Sequence, residues 1–226
     1  MTEEKAKFIR SLYLPVSFVL LITVLKVVES ISGYSFVPFG LYPRTIHGLL
    51  GIITSPLIHG SFNHLYSNAI PLLVLGISIN YFYQESSKKV FIISYLLTGI
   101  LVWIFARSSY HIGASGVVYA LVSFLFFSGV IKKDRRSVTL SLLVVFLYGG
   151  LAYGVFPIKE GVSWESHLLG GIVGLLCAIL FRKKDVYKRY DWEDEEIEED
   201  VRNLEVSYKK GYQANSEWND YEDSGR

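Results

Sequence analysis

Six stretches of the chain stay apolar for long enough to cross a lipid bilayer. They run approximately over 12–28, 64–83, 88–106, 113–131, 138–156 and 164–181. A hydrocarbon core of about 30 Å takes roughly 17–25 mostly apolar residues in a helix. Backbone groups must pair internally there, so the runs predict helices; a barrel would show short alternating strands. The prediction is an all-α polytopic membrane protein with six transmembrane helices.

The polar flanks orient these spans, because Lys and Arg collect on the cytoplasmic side. Lys5, Lys7, Arg10, Lys88, Lys89, Lys132, Lys133, Arg135, Arg136, Arg182, Lys183, Lys184, Lys188 and Arg189 make 14 cations on one set of flanks. Arg44, Arg107 and Lys159 make 3 on the other. The asymmetry puts both N and C termini in the cytoplasm and loops 29–63, 107–112 and 157–163 outside. Three parts follow: a cytoplasmic N-terminal segment 1–11, a membrane domain 12–181 and a charged, acidic cytoplasmic tail 182–226. The formal net charge of +1 conceals this split, since the tail holds 9 basic and 14 acidic residues. Such a tail suits a solvated or flexible segment. The first external loop, 29–63, carries Leu49, Leu50, Ile52, Ile53, Leu57 and Ile58 broken by Gly48, Gly51 and Pro56. That stretch is too short to span and suits a partly membrane-embedded segment. No small-residue cleavage site follows the first apolar run, which is therefore expected to remain as a span.

Composition narrows the function. Hydrophobic residues make up 51% of the chain, which excludes disorder and argues against a soluble domain. The single cysteine, Cys177, rules out an intramolecular disulfide and a cysteine-based metal site. There is no glycine-rich phosphate loop, so neither a cofactor nor a nucleic acid is expected. A small transporter would want midplane charges or an inverted repeat, and the sequence has neither. Oligomeric state is not legible.

Polar groups inside spans are costly and each needs a reason. His64 and Asn68 open the second span, Ser115 the fourth, and His167 the sixth. Three separate segments thus deliver polar side chains to one depth on one side. Ser115 lies in Gly113-Ala114-Ser115-Gly116, where the first N–H groups of a helix lack partners and favour negative charge. Gly116 is expected to leave room for a base beside the hydroxyl. Tyr119, at i+4 from Ser115, is placed to stack on an imidazole. His167 is the one candidate general base of its span. Gly170, Gly171 and Gly174 follow it at spacings that let membrane helices pack closely. Ser115 and His167 in contact would make an activated nucleophile. His64 and Asn68, at i and i+4, carry the donors an oxyanion needs. Glu165 is two residues from His167 and cannot face it, so a Ser–His dyad is expected.

Plainer readings stand beside these. Ser115 alone suits a helix N-cap, His167 a buried hydrogen-bonded histidine, and His64 with Asn68 a polar tie between helices. Tyr119 suits ordinary packing, His47 and His111 interfacial loop positions. His59 and His64 lack an acidic or thiol partner for a metal. Lys26 suits snorkelling rather than a base. Pro71 should kink the second span just past Asn68.

With these residues in place, the sequence resembles the rhomboid family of intramembrane serine proteases. The matching pieces are Gly113-Ala114-Ser115-Gly116, His64-Leu65-Tyr66-Ser67-Asn68 with His59 five residues earlier, and His167-Leu168-Leu169-Gly170 continuing to Gly174. Tyr42-Pro43-Arg44 through Ser55-Pro56-Leu57-Ile58-His59-Gly60 resembles the family's first loop. The resemblance spans about residues 36–181. It implies a serine endopeptidase that hydrolyses peptide bonds in or next to transmembrane helices of substrate proteins. It implies Ser115 as nucleophile, His167 as base, and His64, Asn68 and Ser115 N–H, with Gly113 beside them, at the oxyanion site. It implies supporting roles for Tyr119, Gly116, Gly170 and Gly174. It also implies lateral substrate entry between spans two and five, where Gly149, Gly150 and Gly154 would make span five yielding. Its compact form implies a prokaryotic inner membrane. The alternative is a rhomboid-like protein that binds client transmembrane helices without cutting them.

Overall fold

The computed structural model describes residues 2–158, 161–187 and 202–209. Among these, Met1–Val186 forms one compact unit. Tyr187–Arg226 forms another, in which 202–209 is a short, exposed helix. Most of the acidic tail lies outside the described residues.

The compact unit is all-helical. Its α-helices are α1 (Glu3–Ser32), α2 (Ile46–Thr54), α3 (Phe62–Phe82), α4 (Ser87–Phe105), α5 (Ser115–Lys132), α6 (Arg135–Tyr148) and α7 (Trp164–Leu180). Helix α1, α3, α4, α5, and α6 with its 3-10 extension to Val155, are each long and apolar enough to cross a membrane. Helix α7 is apolar but has 17 residues, about 26 Å at 1.5 Å per residue. Each apolar run of the sequence is thus helical. The first helix begins at Glu3, well before the apolar run at Leu12, and Glu3 and Glu4 suit its N-terminal dipole. Pro71 lies within α3, which continues through it to Phe82.

Helix α5 forms the axis. Its apolar window is 61% buried, against 17% for α1 and for α6, which present their faces outward. Val117, Val118, Leu121, Phe124 and Leu125 of α5 pack with Leu65, Leu72, Leu75 and Ile79 of α3 and Val173, Cys177 and Ala178 of α7. Two glycines bring α7 onto α5. A Cβ on Gly170 would stand 2.1 Å from the Gly116 carbonyl oxygen, and one on Gly174 2.1 Å from the Ala120 oxygen. Gly171 faces open space, so the close-packing stripe is Gly170 and Gly174 alone.

The first loop docks on the end of α4. Arg44 donates to the Ile104 and Ala106 carbonyls and to Ser108 Oγ, while Trp103 Nε1 donates to the Thr45 carbonyl. The apolar stretch becomes α2, capped by the Thr45 hydroxyl, which accepts from Gly48 N–H. Leu41 and His111 exchange two backbone hydrogen bonds of 3.0 and 2.8 Å. At the far end of the bundle, the buried Asp185 carboxylate accepts from Glu85 N–H (2.7 Å) and Ser86 Oγ (2.5 Å). That clasp extends the folded unit beyond the end of α7.

Candidate active site

Helices α3, α5 and α7 bring their N-termini to one cavity of about 800 Å³, whose lining includes His64, Asn68, Ser115, Tyr119 and His167. Three positive dipole ends converge there, favouring negative charge.

Each residue is set by local structure. Gly113 holds φ +99°, a conformation open to glycine, and turns the chain into α5. Ala114 is the N-cap and Ser115 the first helical residue, so Ser115 is not a cap. Its N–H points out of the helix start without an intrahelical acceptor. Ser163 caps α7 by accepting from Ser166 N–H, which places His167 in the first turn. Ser61 caps α3 by accepting from His64 N–H, fixing where His64 stands.

Ser115 Oγ lies 2.9 Å from His167 Nε2. The other ring nitrogen, Nδ1, lies 2.8 Å from the Gly154 carbonyl oxygen. A carbonyl only accepts, so Nδ1 carries the proton and Nε2 is the acceptor of the serine proton. This is the tautomer that a general base requires. The Tyr119 ring stacks on the imidazole at 4.1 Å and 6°, and its hydroxyl donates to the Leu151 carbonyl at 2.7 Å. Glu165 turns away from His167 and pairs with Arg107 at 3.3 Å.

His64 and Asn68 stand against Gly113. A Cβ on that glycine would meet His64 Nε2 at 2.5 Å and Asn68 Nδ2 at 3.6 Å. Asn68 donates one amide proton to the His64 carbonyl at 2.9 Å, leaving a second amide donor. Gly113 offers no donor of its own, because its N–H goes to the Ser55 carbonyl at 2.8 Å. Its part is the room it leaves for His64. Gly116 also differs from expectation: a Cβ there would meet Thr98 and the Ser166 backbone at 2.9–3.2 Å. It lets α4 and α7 approach rather than opening space beside the hydroxyl.

Sequence reasoning does not find the contacts that Gly154, His111, Lys26 and His59 make. In the sequence Gly154 is only a source of yield in span five. It holds His167 by its carbonyl, and a Cβ on it would fall 1.8 Å from the Tyr119 hydroxyl. His111 lies in the loop between α4 and α5 but is buried, bonded through Nδ1 to Ser163 Oγ and through Nε2 to the Arg107 carbonyl. Lys26 pairs with Glu29 at 2.7 Å, one turn nearer the end of α1. His59 is buried beside His64, edge to face at 5.1 Å, and its Nε2 accepts from Ala114 N–H at 3.5 Å. Burial, then the neighbouring His64, lowers the His59 pKa to about 4.

A family model, the Rhomboid domain, matches residues 47–184. Uncharacterized proteins of Mycobacterium tuberculosis and Mycobacterium bovis are each 32% identical over 186 residues, covering 76% of this chain and 78% of theirs. The RHOMBOID-like protein 4 of Arabidopsis thaliana is 30% identical over 143 residues, covering 60% of this chain and 34% of its own length. The family match takes in α3, α5 and α7 together with the turns that present Ser115, His64 and His167. The chain belongs to the rhomboid family.

Proposed function

We propose that the protein is an intramembrane serine endopeptidase acting on transmembrane helices of other proteins through a Ser115–His167 dyad. The 2.9 Å approach of Ser115 Oγ to His167 Nε2, with Nδ1 held by the Gly154 carbonyl, carries this reading. Ser115 Oγ attacks the scissile carbonyl carbon while His167 Nε2 takes its proton. Ser115 N–H, the second Asn68 amide proton and a His64 ring N–H stabilise the oxyanion. His167 then protonates the leaving amine, and the acyl-enzyme is hydrolysed by water activated in the same way. Water must reach the cavity, which suits its place at helix ends rather than mid-span.

The same reading takes α7 as a sixth span, giving a membrane domain over 12–181 and a cytoplasmic tail over 182–226. The 17 residues of α7 sit at the short end of the spanning range. Both termini then lie in the cytoplasm and the cavity opens outside, in a prokaryotic cell membrane. No cofactor is required.

Fluorophosphonate labelling of the purified protein, with cleavage of a transmembrane-helix reporter, tests the proposal. Wild type should be labelled at Ser115 and cut the reporter; Ser115→Ala should do neither. A folded wild type that stays unlabelled, or a Ser115→Ala protein that still cuts, overturns it. Reporter binding without product from either protein would identify a client-binding relative instead.

A further inference from the structure

His111 and Ser163 form a second serine–histidine contact on the wall of the same cavity, outside the dyad. Nε2 of His111 lies 3.0 Å from the Arg107 carbonyl, which can only accept, so Nε2 carries the ring proton. Nδ1 is then the acceptor, and Ser163 Oγ donates to it at 2.5 Å. With its own proton committed, Ser163 Oγ accepts from Ser166 Oγ at 2.6 Å and from Ser166 N–H at 3.4 Å. A hydroxyl can serve as an N-cap without any histidine beside it, so capping alone does not account for the imidazole.

Position accounts for it. His111 lies four residues before Ser115, and Ser163 four residues before His167. The His111 backbone is anchored on both sides by Leu41, at 3.0 and 2.8 Å. One ring therefore ties the turn that launches α5 to the cap that launches α7. Burial lowers the pKa of His111, between Arg107 and Glu165, which favours the neutral ring that the Nδ1 acceptor role demands.

We propose that His111 is a positioning residue that sets the register of His167 against Ser115 through Ser163. The inference rests on the dyad reading. Without the bond, Ser163 keeps only its Ser166 contacts and loses its tie to the turn before α5, so the first turn of α7 is no longer held in register and the 2.9 Å contact lengthens. A misplacement of about 1 Å at a reacting pair costs on the order of 100-fold in rate.

The test uses the full chain in detergent, with fluorophosphonate labelling rate per folded molecule, and kcat and KM on a transmembrane reporter. His111→Phe keeps a ring and removes both hydrogen bonds. His111→Gln restores a donor and an acceptor separated by one carbon, as in the imidazole. His111→Phe and Ser163→Ala should each slow labelling and kcat by about 10- to 100-fold with KM little changed. The double variant should be no slower than either single one, since both break one link. His111→Gln should recover most of the rate. Should His111→Phe not fold, Ser163→Ala and His111→Gln carry the comparison. Wild-type labelling rates in His111→Phe or Ser163→Ala, additive losses in the double variant, or losses confined to thermal stability overturn the positioning role and leave the dyad standing. An unlabelled wild type overturns both.

Discussion

Gly170→Ala adds one methyl at the tightest point between α5 and α7. The new Cβ would stand 2.1 Å from the Gly116 oxygen, 3.0 Å from its carbonyl carbon and 3.2 Å from its Cα. All three are backbone atoms, so no rotamer change relieves the clash. Ordinary contact begins at 3.4 Å, so the helices must part by about 1.3 Å along that line. Helix α5 is enclosed on its other sides by the core, and α7 is therefore the element that moves. Gly116 adjoins Ser115, and Gly170 lies one turn beyond His167. A shift of that size would stretch the 2.9 Å Ser115–His167 contact to about 4 Å, past hydrogen-bonding range.

Overpacking of this kind costs about 1–3 kcal/mol. The better helix propensity of alanine returns at most about 1 kcal/mol. On the proposed mechanism, the misalignment lowers activity on the order of 100-fold. Gly171 supplies the internal control, since a Cβ there meets nothing within 4 Å. Gly171→Ala should label at the wild-type rate and melt at or slightly above the wild-type temperature. Both variants, purified in one detergent, are compared by thermal unfolding and by fluorophosphonate labelling rate. Equal behaviour of the two alanines, or a Gly170→Ala protein with wild-type labelling and melting temperature, would refute the reasoning.

Two further outcomes follow from the same geometry. Gly113→Ala forces a side chain into φ +99° and to within 2.5 Å of His64 Nε2. It should cost about 1–3 kcal/mol in unfolding and slow labelling about 10-fold or more by displacing the proposed oxyanion donor, and unchanged labelling would count against His64 in that role. His59 has its pKa lowered to about 4, so its neutral form is the one the fold favours. Its contribution is complete above about pH 6.5 and fades as pH falls toward 4, by about 3 kcal/mol at most. Thermal unfolding between pH 7 and 4.5 should show a slope that His59→Gln reduces, and an identical slope in the variant would exclude this source.

The helices were legible because bilayer length and apolarity leave few choices, and every apolar run of the sequence is helical. The gathering of Ser115, His64, Asn68 and His167 was legible for a related reason: a polar side chain in a span demands a partner. What escaped was set by packing direction. Gly116, Gly170 and Gly171 look alike as small residues. Only the crossing of α5 and α7 tells that Gly116 and Gly170 touch while Gly171 faces open space. The Gly113 N–H is likewise unremarkable in sequence, and its loss to Ser55 depends on where the first loop docks. His111 carried no periodic or motif signal at all. Its burial follows from the Leu41 bridge, which joins segments far apart in the chain.

The Gly154 carbonyl was the least legible feature, because every residue has one, yet it is the feature that makes the site physically coherent. A base that accepts a proton on Nε2 needs an acceptor on Nδ1. A carboxylate would serve, but a buried one carries a desolvation cost of several kcal/mol unless other groups pair with it. The acid nearest in sequence, Glu165, has its pair already in Arg107, two residues out of phase with His167. A peptide carbonyl fixes the same tautomer with no charge to desolvate, and the Tyr119 ring holds the imidazole plane. The 3-10 segment that presents Gly154 is therefore part of the environment of His167, the proposed base. Any movement of that segment would loosen the Nδ1 bond and the tyrosine hydroxyl bond to Leu151 together, which on the proposed mechanism couples the shape of the 3-10 segment to proton transfer from Ser115.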